Sequence, residues 1–232
     1  EWDETIAVNL PGVFWCCQVV LPSMIERRSG AIVNIGSVTG KRPLLNRSPY
    51  AASKVSGESL LAAYGASYGM QTVSLRYFNA AGASGPIGED HRPETHLIPN
   101  VLKVASGLTD SVTIFGDDYP TPDGTCLRDY VHVDDIAAAH VLALQGLDDV
   151  QATAFNLGVG RGHSVREVVD AAKTVTGREI LVHVGPHRAG DLPELVANAD
   201  RARRVLRWRP QYTELSEIVA TAWEWHRQQF QS

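Results

Sequence analysis

Three residues within one short stretch could move a proton and steady a charge: Ser37, Tyr50 and Lys54. Tyr50 and Lys54 stand four apart in PYAASK, at the start of a segment with helical spacing of apolar residues. Both side chains should therefore project from one helix face. A phenol ionises near pH ~10, too high for a general base. An ammonium held beside it in a partly desolvated cleft stabilises the phenolate and brings the group toward neutrality. The spacing alone also fits a solvated i,i+4 pair on a helix surface. Ser37 precedes Tyr50 by 13 residues and closes NIGS, behind the apolar run AIVNI. In an open α/β sheet ligands bind beyond the carboxyl ends of the strands, where Ser37 would face the Tyr50 helix.

The elements that must hold these groups alternate. Residues 3–26 carry apolar positions at helical spacing, with a bend expected at Pro11. Residues 31–35 read as a central, buried parallel strand. Residues 50–68 read as a helix ending at Gly69, and residues 72–78 as the next strand. Residues 79–130 are rich in glycine, proline and acids, with only 97–106 helical, and suggest a lobe of loops and short elements. Helices follow at 133–144, 164–176, 201–206 and 214–228, with strands at 154–157 and 180–184. Ser164 and Glu167 form a capping-box pattern. The expected fold class is α/β: a doubly wound parallel sheet, Rossmann-like with its first strands missing, plus a smaller substrate-binding lobe. Residues 1–80 would be a partial dinucleotide-binding domain holding the Ser-Tyr-Lys set. Residues 81–232 would be mainly the substrate lobe, with 131–160 returning to the sheet.

Composition is ordinary for a globular chain: 232 residues, 44% hydrophobic and 20% charged. A net charge of −5 offers no general attraction to nucleic acid or an anionic membrane. No run reaches the roughly 18 uninterrupted apolar residues of a membrane span. Three cysteines, odd in number and without ligand spacing, suggest reduced thiols and a cytoplasmic location. The eight histidines show no metal-ligand pattern on a common face, so no metal is expected.

Ser37, Tyr50 and Lys54 on a strand–loop–helix unit resemble the short-chain dehydrogenase/reductase superfamily. Residues 50–232 are similar, within it, to the sugar-nucleotide epimerases. The matching runs are PYAASK, LRYFNAAGA, HLIPNVL, IFGDDYPTPDGTCLRDYVHVDDIAAAH, FNLGVGRGHSVREVV, HRAGDLPELVANAD and LRWRP. The resemblance implies bound NAD and interconversion of UDP-galactose and UDP-glucose at sugar C4 through a 4-keto intermediate. It makes Ser37, Tyr50 and Lys54 catalytic, and places Asn9, Tyr50, Lys54 and Phe78 against the cofactor. Asn9, in VNLPG, reads equally as a polar residue on a surface helix. Asn79, His96 and Leu97 would line the sugar-phosphate region, Ile114 and Phe115 would flank the uracil, Arg128 and Arg188 would hold the diphosphate, and Asp191 the uridine ribose. Leu195 matches a pocket-wall position bearing on N-acetylated sugars, and an asparagine often stands where His96 does. A homodimer is also implied, with the helices at 3–26 and 50–68 supplying the interface. Guanidinium groups match a diphosphate bidentately, although by spacing alone Arg128 and Arg188 could equally be solvated or paired with Asp129 or Asp191.

Three glycine patterns carry no chemistry. GASYG at 65–69 follows a helix, not the strand that a nucleophile elbow needs. Gly82, Gly85 and Gly88 precede no apolar helix, and Gly158, Gly160 and Gly162 have the wrong spacing for a dinucleotide fingerprint. Residues 1–49 resemble the simple ketone and sugar-alcohol reductases instead, with the change near Ser48–Lys54. An NAD(P)-linked ketone reductase and a catalytically incomplete fragment are therefore the alternative readings.

Overall fold

Pro11 decides how the chain starts. It has no backbone N–H for a helix interior, and the expected bent helix is two helices, α1 (Trp2–Asn9) and α2 (Pro11–Arg27). Pro11 sits in the first turn of α2, where the missing donor would be unsatisfied in any case. The computed structural model describes residues 2–30, 32–37, 48–69, 71–146 and 153–230. After α2 come β1 (Ile32–Ser37), α3 (Ser48–Tyr68), β2 (Thr72–Tyr77), β3 (Asn79–Ala81), α4 (Leu97–Ala105) and β4 (Val112–Phe115). Then follow β5 (Leu127–Arg128), β6 (Tyr130–His132), α5 (Val133–Gln145), β7 (Thr153–Leu157), β8 (His163–Ser164) and α6 (Val165–Thr176). The chain closes with β9 (Val182–Gly185), β10 (Glu194–Leu195), α7 (Asp200–Val205) and α8 (Leu215–Phe230). Helix ends follow local rules: Gly69 takes φ +68° and its amide donates to Gly65 O at 3.0 Å. The Ser164–Glu167 capping box is formed in both directions.

The chain divides into two units. The first takes Glu1–Tyr77, Ala138–Leu157 and Ala199–Trp208, and the second takes Phe78–Ala137, Gly158–Asn198 and Arg209–Ser232. In the first, β1, β2 and β7 form a parallel sheet in the order β1-β2-β7, an α/β arrangement of the Rossmann-like kind. Val73 and Leu75 of β2, with Phe155 and Leu157 of β7, are fully buried. The expectation of a central, buried strand at 31–35 is corrected. Among the described residues β1 is the edge strand, and Ile35 is 51% exposed. On the helical side Cys17 and Leu21 of α2 pack with Leu61 of α3.

In the second unit short parallel pairs join β3 to β6 and β4 to β9, while β5 lies between β10 and β8. Its core is built from α4, α6 and α8, through Val101, Leu102, Val168, Ile218 and Val219. Within Trp2–Arg27 an 18-residue window has a mean hydropathy of 1.5, and the segment is long and apolar enough, by length and composition, to cross a membrane. That corrects the residue-by-residue count, which Gln18 interrupts.

Burial of His226 in α8, helped by Lys103, pushes its pKa down from 6.5 to about 4. The unfolded chain therefore takes up a proton between these values that the folded chain refuses. The stability involved is complete above pH 6.5 and is lost as pH falls toward 4. His132 and His163, also buried, shift in the same direction. From pH 7.5 to pH 5 His226 alone should remove about 2 kcal/mol from the unfolding free energy. Urea titrations at the two pH values should show His226→Leu losing that part of the dependence.

Candidate active site

The first unit holds the groups expected to move a proton. Tyr50 and Lys54 lie in the opening turns of α3 and share a face, with the Lys54 Nζ 5.5 Å from the Tyr50 ring centroid. The same Nζ donates to Ile35 O at 3.1 Å, so the charge is lodged near the carboxyl end of β1. Burial lowers the pKa of Lys54. Ser53 O–H donates to Tyr50 O at 2.7 Å, tightening this turn from its buried side. Ser37 is the last residue of β1, in register with Tyr77 of β2; its side chain and residues 38–47 lie outside the described residues. Asn9 closes α1, where its Nδ2 donates back to Thr5 O at 3.0 Å.

What fixes α3 against the sheet is an ion pair that the sequence did not reveal. Arg76 of β2 donates through Nε to Glu58 Oε1 at 2.7 Å and through Nη2 to Glu58 Oε2, a bidentate fork one turn beyond Lys54. Both side chains are largely buried, so water screens the pair little. Gly36 makes room for it, since a Cβ there would stand 2.9 Å from Glu58 Oε1 and 3.0 Å from Arg76 Cγ. Beside it, the Tyr77 hydroxyl lies 2.6 Å from His140 Nε2, and burial raises the phenol to about 12. No interval in the sequence links Glu58 to Arg76, because the strand register alone decides which residue the helix meets.

The second unit gathers the expected nucleotide contacts. The Arg188 guanidinium lies 3.8 Å over the Phe115 ring, a stacked cation on a half-buried aromatic. Arg128 is 17% exposed; its Nη1 donates to Leu127 O at 2.9 Å and Leu192 O at 2.8 Å, and its Nη2 lies 3.6 Å from Asp191 Oδ1. Asp191 N donates to Arg188 O at 3.2 Å, so the two arginines and the aspartate share one loop system. Ile114 points into the core at 2% exposure, which leaves only its backbone to face a base. Leu195 pairs in β10 with Arg128 of β5. Asn79 opens β3, Phe78 precedes it, and His96 and Leu97 stand at the exposed start of α4. Sequence reasoning missed Tyr119 and His187, whose ring centroids are 4.2 Å apart, and Asp118, which bonds the His187 ring. The turn at Gly116, φ +83°, lets these rings close over it.

Asp129 ties this system together. Its carboxylate accepts from Val159 N and Gly160 N at 2.8 Å and from Ala197 N at 3.0 Å, while its carbonyl accepts from Asn79 N at 2.9 Å. Burial raises its pKa and the three amides pull it back. Gly158 permits the approach, because a Cβ there would stand 2.6 Å from Asp129 Oδ2.

The first unit thus combines a parallel α/β sheet with a Tyr-x-x-x-Lys pair on the helix that follows β1. The NAD dependent epimerase/dehydratase family matches residues 28–158. The UDP-glucose 4-epimerase of Lacticaseibacillus casei is 49% identical over 187 residues, 79% of this chain and 56% of that one. A UDP-glucose 4-epimerase from Stenotrophomonas maltophila, solved with NAD and formylated UDP-arabinopyranose, superposes with a TM-score of 0.83. It is 36% identical over 91% of this chain and 67% of its own. The Brucella ovis UDP-glucose 4-epimerase solved with NAD also gives 0.83, at 39% identity over 94% of this chain and 70% of that one. This chain belongs to the NAD dependent epimerase/dehydratase family. It spans a little more than half the length of the curated relatives it matches. The family match starts at residue 28, ahead of the change of resemblance near Ser48, and α3 runs through that point as one helix.

Replacing Asp129 by Ala should strand the buried amide of Ala197 and leave the part-buried amides of Val159 and Gly160 without their acceptor. A loss of about 1–3 kcal/mol is expected in a denaturant titration, with Asp129→Asn, which keeps one acceptor, falling between.

Proposed function

We propose that this chain carries the catalytic and nucleotide-binding residues of a UDP-hexose 4-epimerase. The observation that carries the reading is the Lys54 ammonium set beside the Tyr50 ring near the carboxyl end of β1, in a chain 49% identical to a UDP-glucose 4-epimerase. The donor set suits the nicotinamide ribose: an ammonium and a phenol on one helix face would donate to its hydroxyls. Tyr50, as the phenolate, takes the proton of the sugar 4-hydroxyl, and Lys54 stabilises that phenolate by its charge. NAD, when bound, supplies the acceptor and then the donor of the C4 hydride. Ser37 hydrogen-bonds the reacting oxygen, with Asn9 and Phe78 on the cofactor side.

UDP is held by groups that do no chemistry. Arg128 has five N–H donors; Nη1 serves the two carbonyls and Nη2 faces Asp191, which leaves Nε and one Nη2 proton for a diphosphate oxygen. Arg188 stacked on Phe115 offers a second guanidinium beside an aromatic wall suited to uracil. Asp191 suits the ribose hydroxyls, and Asn79, His96 and Leu97 the sugar-phosphate region. Tethering through UDP lets the 4-keto sugar turn and be reduced on its other face without leaving.

The enzyme should interconvert UDP-galactose and UDP-glucose without added NADH. Tyr50→Phe should lower turnover by about 10²- to 10⁴-fold while bound nicotinamide is retained. A variant that kept most of the turnover would remove Tyr50 from the mechanism. Steady consumption of NAD(P)H with a simple ketone, and no epimerisation, would mark the reductase reading instead.

The family resemblance also supports a cytoplasmic homodimer. Trp15 and Val19 of α2 and Val55 of α3 are exposed, and Val19 at 79% is the most open large apolar side chain described. Such a face suits a second copy of the same helices. Val19→Asp should convert a dimer to a monomer in sedimentation velocity. A wild-type chain that stayed monomeric and bound to lipid vesicles would replace this reading with a membrane contact.

A further inference from the structure

We propose that Glu89, His91, Glu94 and His96 form a binding site for a divalent transition-metal ion of the zinc type. The pattern E-x-H-x-x-E-x-H lies in the segment leading into α4, and each side chain offers one ligand atom within 4.8 Å of all the others. Two imidazoles and two carboxylates are the donor set that zinc accepts in tetrahedral geometry. Side-chain rotation alone can close the remaining gap, because Glu89, His91 and His96 are exposed.

Part of the site is already organised. The Glu94 carboxylate is 3% exposed, and its Oε1 accepts from Thr95 N and His96 N, both at 2.7 Å. These amides hold it as outer-shell donors hold a ligating carboxylate. His96 Nδ1 lies 2.8 Å from that oxygen and 3.9 Å from Glu89 Oε1, and the His91 and His96 rings are 5.4 Å apart, tilted by 60°. The nearby cation does not fill the gap: Arg92 pairs with Asp90 through Nε at 3.1 Å and Nη2 at 3.2 Å. Two carboxylates thus face two neutral-capable imidazoles without a cation assigned to them among the described residues. A bound ion would fasten the 89–96 segment to the first turn of α4, whose Ile98, Val101 and Leu102 belong to the core. Sequence reasoning overlooked the cluster because it sought histidines on a helix face, and these lie in a loop.

The site shares His96 with the sugar-phosphate contacts proposed above, and its test reads metal binding alone, so that its failure and the failure of the epimerase reading are distinguishable. The full chain should be titrated with CoCl2 and then ZnCl2, following visible absorption and heat. One Co²⁺ per chain with the intense bands of tetrahedral coordination, displaced by one Zn²⁺, is expected. His91→Ala should weaken binding by at least the roughly ten- to hundredfold typical of losing even an outer-shell partner. Circular dichroism should stay unchanged in this exposed variant, and His187→Ala should bind as the wild type does. Zn²⁺ should also raise the unfolding temperature of the wild type and not of His91→Ala. The proposal is overturned if Co²⁺ and Zn²⁺ fail to bind stoichiometrically, or if Glu89→Gln/His91→Ala binds them with wild-type affinity.

Discussion

A carboxylate removed from water must be given donors, and Asp129 takes three backbone amides to meet that demand. The amides come from the turn after β7 and from the segment after β10, so one buried charge sets where both run. Arg128 is the preceding residue, and its guanidinium is turned onto Leu192 O and Asp191 as a consequence. Remove the carboxylate and the buried Ala197 amide would have neither water nor a partner. The loops of the second unit that carry Arg128 and Asp191 are joined through those hydrogen bonds.

The first unit solves a similar problem with a pair of charges. Glu58 and Arg76 bond bidentately between α3 and β2, which keeps both from lying unpaired in a largely buried position. The pair fixes the rotation of α3 on the sheet, and so fixes the direction in which Lys54 and Tyr50 project one and two turns earlier. Gly36 is part of the same device, since any side chain there would push into the fork. A rigid helix face is what a proton-transferring phenol needs, because misplacement by ~1 Å weakens the transfer steeply.

The exposed apolar face of α2 and the His/Glu loop before α4 are not explained by packing among the described residues. Trp15, Val19 and Ile25 remain in water although they stand at helical spacing with Cys17 and Leu21, which are buried. A helix apolar on more than one face needs a second surface to cover it. The loop has the opposite character, polar and accessible, with one carboxylate locked by its own backbone.

Local signals in the chain were enough for the helices and for the longer strands β1, β2, β7 and β9, but not for the short strands β3, β4, β5, β6, β8 and β10, most of which lie in stretches read as loops. Gly69 ends α3 because only a residue without Cβ takes its φ easily, Ser164 and Glu167 cap α6, and the 3.6-residue period places Tyr50 above Lys54. These are contacts within a few residues, which order along the chain prescribes. Tertiary structure alone decided that β1 is an edge strand among the described residues, that Glu58 meets Arg76, that Asp129 gathers amides from 30 and 68 residues away, and that Ile114 turns inward while Phe115 stays accessible. Each depends on strand register and on which polar atoms lose water together. Sequence order does not encode those quantities until the whole unit has closed.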